Sequence, residues 1–251
     1  MEMISTKTGS ERGRFFEKKE TKRPCWNCQS DKVAQYNCVS CTAIQQFLRD
    51  TDYFSSFNIG YKLNIALNQL EEVYFDLSRR FHPDYHQKGL KKEQEISLEN
   101  TALLNKAYQT LKDPLQRTAY LITLVEGNQM LPTKAPADLF EEIFEIQEIR
   151  EEIRALDPSD TAGRLVRMNT LKMATEKTRR YEEDEKKKLH ELFIKWDQLE
   201  AKREEPQFTQ AQRICLGEMK QILSHAGYLD RILQDIKTTT SEMYPANDWE
   251  R

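Results

Sequence analysis

Arg79-Arg80-Phe81-His82-Pro83-Asp84 is a basic, aromatic helix end that runs into a His-Pro-Asp tripeptide. A helical pattern reaches it from about Asn64, with Leu67, Leu70, Val73, Tyr74, Leu77 and Phe81 spaced as one buried stripe. Pro83 turns His82 away from the α region, so the helix is expected to stop there. Arg79 and Arg80 fall in its last turn, where cations suit the negative end of the helix dipole. That accounts for them structurally; the functional reading is an acidic partner. A second long helix is expected from Glu93 to Lys112, with Ile96, Asn100, Leu104, Ala107, Tyr108 and Leu111 on one face and Asp113-Pro114 at its end. A third runs from Leu115 to Val125, with Gly127 as C-cap. Before them, Asp52 to Gly60 reads as a short helix with Tyr53, Phe54 and Phe57 on its core face. Residues 52–127 therefore form a small helical domain. Its two long helices pair antiparallel, and His82-Pro83-Asp84 sits at the tip as a contact surface.

Composition agrees with an all-α chain. Of 251 residues only 8 are Gly and 31% are charged, which suits helices with solvated charged faces. The net charge of −3 and a pI near 5.9 give no basic footprint for nucleic acid. No apolar run approaches the roughly 18 residues of a membrane span, so no membrane role is expected. Residues 1–24 are polar, lack an apolar export core and are expected to be a disordered tail. Glu2, Glu11, Glu17 and Glu20 count against a mitochondrial presequence, so the cytoplasm is the expected compartment and the mitochondrial matrix the alternative.

Cys25, Cys28, Cys38 and Cys41 make two C-x-x-C pairs, separated by nine residues that can form a hairpin. In a chain without an export signal, this spacing reads as metal ligation before disulfides. Four thiolates suit one tetrahedral Zn²⁺ and leave no open position, so one structural zinc per chain is expected at 25–41. So short a module needs the metal to fold. A redox pair and a nucleic-acid zinc ribbon compete with this reading, but residues 29–37 are barely basic. Cys215 lies in an apolar helix and reads as core.

Pro132 and Pro136 mark a linker at 128–137. From Asp138 to Ala155 a helix carries two stripes. Leu139, Ile143, Ile146, Ile149 and Ile153 form a core face; Phe140 and Phe144 lie on an adjoining face rimmed by carboxylates. The second stripe is either a partner surface or part of a wide core. After Pro158, a charged helix from about Thr161 to Glu204 carries Leu165, Met168, Leu171, Leu189, Leu192, Phe193, Trp196 and Leu199. A last helix runs from Pro206 to about Ile236, ahead of a loose tail from Thr238. Three helices with matching stripes make a three-helix bundle over 138–236.

Tyr53-Phe54, the helix ending in His82-Pro83-Asp84, and Asn105 through Pro114 with Arg117 and Tyr120 resemble a J-domain. Followed by Leu139 through Glu148, the whole is similar to the HscB family of iron–sulfur co-chaperones, and the leading Cys-Trp-Asn-Cys resembles its zinc-bearing branch. The resemblance covers roughly residues 25–236 and is weak over 157–206. It implies that the J-domain stimulates a DnaK/HscA-class ATPase chaperone through Arg79, Arg80, His82, Pro83 and Asp84. It also implies that the bundle holds an IscU-type scaffold protein through Leu139, Phe140, Phe144, Glu145 and Glu148. Glu141 stands where the family often has an apolar residue.

No chemistry of its own is expected of the chain. His82, His86, His190 and His225 have no nucleophile beside them in sequence, and no Gly-rich phosphate loop exists. The expected function is that of a co-chaperone in iron–sulfur cluster assembly, not an enzyme. The alternatives are a J-protein for a different client and a zinc-ribbon nucleic-acid adaptor; self-association is left open.

Overall fold

The computed structural model describes residues 23–48, 51–127, 133–157, 160–203 and 207–243. Pro158, Pro206, most of the 1–24 tail and 128–132 of the linker lie outside them. The described residues fall into two compact units. One lies within Met1–Asn128 together with Phe193–Arg213, the other within Gln129–Leu192 together with Ile214–Arg251. All regular structure among them is helical; two isolated antiparallel bridges, Val33 to Cys38 and Asn37 to Ile44, are the sole β-pairing. No helix among them is long and apolar enough to cross a membrane.

In the first unit, helix α1 is a single turn, Tyr53–Ser56, whose N-cap Asp52 accepts the Ser55 N–H. Gly60 then takes a left-handed φ of 59°, which glycine adopts without strain. Helix α2, Leu67–Phe81, buries Leu70, Leu77 and Phe81. Leu67 opens the helix and is exposed, so the buried stripe begins one turn later than its spacing suggests. Between His82 and the next long helix lies a further turn, α3, Pro83–His86, with proline at its first position, where no N–H is needed. Helix α4, Lys91–Lys112, buries Ile96, Asn100, Leu104, Ala107 and Leu111, and packs on α1, α2 and α3. Asp113 caps α5, Pro114–Glu126, by accepting the Gln116 N–H, and Gly127 closes it.

The unit has a component that helical periodicity does not reveal. The last residues of α7 (Thr161–Ala201) and the start of α8 (Gln210–Met243) belong to it. Trp196 is fully buried there, donating its indole N–H to the Tyr61 carbonyl at 2.8 Å, with Phe208 beside its ring. Arg117 is buried below the Phe193 ring, its guanidinium 5.2 Å from the centroid.

In the second unit, a 3₁₀ turn, Ala137–Leu139, leads into α6, Phe140–Ala155. Leu139, Ile143, Ile146, Ile149 and Ile153 are all buried. They pack with Leu171 and Ala174 of α7 and with Leu229, Ile232 and Ile236 of α8 as one core. The tail expected to be loose from Thr238 is instead helical through Met243. Thr239 is buried there and accepts the Arg150 Nε–H at 3.0 Å, which fixes that turn to α6.

Candidate functional site

The end of α2 is held from three sides. His82 leaves the helix with ψ of 128°, as a residue before proline must. Its Nδ1 accepts the Asp84 N–H at 3.3 Å and so caps the following turn. Ser97 and Thr101, one turn apart on α4, both donate to the Phe81 carbonyl, at 2.6 and 3.0 Å. These bonds satisfy an acceptor that a helix end otherwise leaves open. The His86 ring lies between the Arg80 carbonyl, 3.0 Å from Nε2, and the Glu93 carboxylate, 2.8 Å from Nδ1. Both neighbours are acceptors, so both contacts are hydrogen bonds when each ring nitrogen carries a proton.

The backbone is therefore fixed while the charged side chains face solvent. Asp84 is 70% exposed, with Gln87 donating to its Oδ1 at 3.1 Å. Arg79 is exposed and paired with Asp76 one turn earlier, at 2.6 Å. Arg80 is placed differently. Its guanidinium donates to Asn37 Oδ1 at 3.2 Å and lies 5.8 Å from the centre of the Tyr36 ring. Arg79, Arg80, His82, Pro83 and Asp84 thus lie together at the end of α2, with Phe81 between them buried. Sequence reasoning missed the supports. Ser97 and Thr101 were legible in principle as paired hydroxyls beside the buried face of α4; His86 with Glu93 left no spacing signal.

The four cysteines meet in one cluster, all Sγ atoms within 4.8 Å of one another. Cys25 and Cys41 are 3.6 Å apart, as are Cys28 and Cys38. A tetrahedron of thiolates about 2.3 Å from a zinc ion has edges of about 3.8 Å. The two pairs are built alike. In the first, the Asn27 N–H reaches Cys25 Sγ at 3.4 Å, and the Gln29 N–H bonds the Cys25 carbonyl. In the second, the Ser40 N–H reaches Cys38 Sγ at 3.4 Å, and the Thr42 N–H bonds the Cys38 carbonyl. The residue after each pair, Gln29 and Thr42, has φ near 60°, uncommon for a non-glycine residue and strained for a β-branched one. Both loops thus bend to aim two sulfurs at one point, and donors are already directed at the sulfurs. Burial works against the Cys25 thiolate, but the N–H groups of Cys28 and Asn27 together with the Cys41 and Cys38 thiols outweigh it and bring the thiol down to about 6. The donor set and its spacing fit a closed tetrahedral metal site.

On α6, Phe140 and Phe144 are 64% and 55% exposed, and Glu141, Glu145 and Glu148 are exposed with them. The second stripe of this helix is therefore a surface and not a wider core. Leu139 is only 3% exposed and packs into the core. It supports this face from below rather than lying on it.

No family model matches the chain. Over 130 residues, 49% of its length, it is 33% identical to the mouse "Iron-sulfur cluster co-chaperone protein HscB". Over 143 residues, 56% of its length, it is 34% identical to the Arabidopsis thaliana "Iron-sulfur cluster co-chaperone protein HscB homolog". The matches cover 56% and 55% of those proteins, so the chain spans about half the length of the curated relatives it matches. Its fold is shared with the crystal structure of the human co-chaperone protein HscB, with a TM-score of 0.54, 24% identity, and coverage of 86% of this chain and 98% of that one.

Proposed function

We propose that this chain is an HscB-type co-chaperone that stimulates the ATPase of a DnaK/HscA-class chaperone and delivers to it an IscU-type iron–sulfur scaffold protein. One observation carries the reading. The Arg80 and Phe81 carbonyls just ahead of His82-Pro83-Asp84 are held by His86 and α4, and the Asp84 N–H by the His82 ring, while the Asp84 carboxylate and the Arg79 guanidinium face solvent. Polar side chains held ready on a rigid backbone are what recognition needs, because little freedom is left to lose on binding.

The physical account has three parts. Arg79 and Arg80 meet an acidic chaperone surface and speed encounter in a salt-dependent way. Asp84, with His82 and Pro83 fixing its backbone, biases the chaperone toward its hydrolysing state. Phe140 and Phe144, rimmed by Glu145 and Glu148, hold the scaffold, so that two weak contacts become one effectively intramolecular hand-over. The chain performs no chemistry of its own in this scheme. The metal in the tetracysteine cluster is zinc, held by Cys25, Cys28, Cys38 and Cys41 in a structural role. The proposed compartment is the cytoplasm; recovery of the protein in the mitochondrial matrix on cell fractionation would replace that assignment. The function is tested by steady-state ATPase rates of the chaperone with this chain, with and without the scaffold. Synergistic stimulation supports it and its absence counts against it.

A further inference from the structure

The hairpin between the two cysteine pairs is built into the contact surface at the end of α2. Residues Val33 to Cys38 turn back on themselves, the Ala34 N–H bonding the Asn37 carbonyl at 2.9 Å. This turn presents Tyr36 and Asn37 to the J-domain. The Tyr36 hydroxyl donates to the Ser56 carbonyl at 3.2 Å, and its ring packs edge-on against Phe47 and Phe81. Arg80 lies against that ring and donates to Asn37.

The cluster also reaches α4 through its other side. The Gln45 amide donates to Cys25 Sγ at 3.4 Å, and the Gln45 carbonyl accepts the Asn100 side chain at 2.9 Å. Asn100 in turn accepts the Phe47 N–H at 3.1 Å. The sulfur cluster, the hairpin and the buried face of α4 are thus joined, and Arg80 rests on the result. Arg79, by contrast, is held by Asp76 of its own helix.

We propose that the tetracysteine hairpin is the positioning element of Arg80: by holding the guanidinium on Tyr36 and Asn37, the metal-closed module sets the affinity of the His82–Asp84 surface for the acidic face of the chaperone. The inference rests on the function proposed above and deepens it. A long side chain ordered before binding loses less freedom in the complex, worth about 0.5 to 1.5 kcal/mol per side chain, or about two- to tenfold in affinity. Metal loss frees the hairpin, and Arg80 loses its seat while the α2–α4 pairing and its Ser97 and Thr101 bonds remain.

The test is a mutant cycle on the full, zinc-loaded chain, using Asn37→Ala, Arg80→Ala and the pair together. The readouts are the half-maximal concentration for chaperone stimulation and directly titrated binding to the chaperone. Asn37→Ala is expected to raise the half-maximal concentration and the dissociation constant by about two- to tenfold, leave the maximal stimulation unchanged, and have no further effect once Arg80 is alanine. Tyr36→Phe, which keeps the ring, is expected to bind as the unaltered chain does. A readout independent of activity is the Arg80 Nε–H resonance, expected to be shifted and protected in the zinc-loaded chain and to move to the free-arginine position after chelation under reducing conditions. An unchanged affinity in Asn37→Ala, equal losses with and without Arg80, or a resonance indifferent to zinc would overturn the inference. Failure of the unaltered chain to stimulate any DnaK-class chaperone would instead overturn the function proposed above.

Discussion

The carboxylate of Asp197 accepts the Leu63 N–H at 2.7 Å across 134 positions of sequence, within one compact unit. Its second oxygen accepts the Asn64 N–H at 3.1 Å, and neighbouring Trp196 reaches the Tyr61 carbonyl. The far end of α7 therefore fixes the segment that leads into α2. The length of α7, unexplained by a bundle alone, has a structural use here.

Removing that support is expected to loosen the first unit. Trp196→Ala deletes a fully buried aromatic and a hydrogen bond, and should destabilise by about 3–5 kcal/mol. Chemical denaturation with hydrogen exchange on α5 measures it. A loss confined to the second unit would contradict the assignment of Trp196.

Asp197 also gives a pH dependence with a definite sign. Burial outweighs the two N–H donations and holds its carboxyl above the ordinary 3.8. The folded state thus binds the proton more tightly than the unfolded one. Its contribution to stability is fully present below the ordinary value and is lost as pH rises through the raised value. Asp197→Asn should flatten the slope of unfolding free energy as pH rises above the ordinary carboxyl value of 3.8; an unaltered slope would show that other groups set it.

Metal analysis of protein purified under reducing conditions without chelator should give one zinc per chain. Cys28→Ser should abolish it, because an open tetrahedral site binds far more weakly. Exchange protection should then fall over 25–47 and persist in α4 and α6. Four reduced cysteines with no metal would contradict the zinc assignment.

Phe140→Ala with Phe144→Ala should weaken scaffold binding by tenfold or more, of the order expected for exposed aromatic anchors, while leaving the melting temperature nearly unchanged. Ile146→Ala, in the core beneath them, should instead destabilise by about 2–5 kcal/mol. Unfolding of the double phenylalanine variant would return that stripe to the core.

What was legible in the sequence follows from the range of each interaction. The Ile143, Ile146, Ile149 and Ile153 face of α6 could be read because its period is local, and the structure buries all four. The same periodicity could not say whether Phe140 and Phe144 were buried, since that depends on what α7 and α8 cover. The cysteine spacing encoded the cluster because the ligand loops are themselves local. Trp196 read as one more bundle residue, and its partner Tyr61 is 135 positions away. Arg80 could be explained by the helix dipole alone; its contact with Asn37 spans 43 positions and leaves no periodic trace.

The central claim is tested most directly by the steady-state ATPase rate of the cognate DnaK/HscA-class chaperone with Asp84→Asn. The substitution keeps the size and the backbone hydrogen bonds of the exposed turn and removes one charge. The account predicts that stimulation falls to the unstimulated rate while scaffold binding stays within about twofold of the unaltered chain. Stimulation that survives the substitution would contradict it.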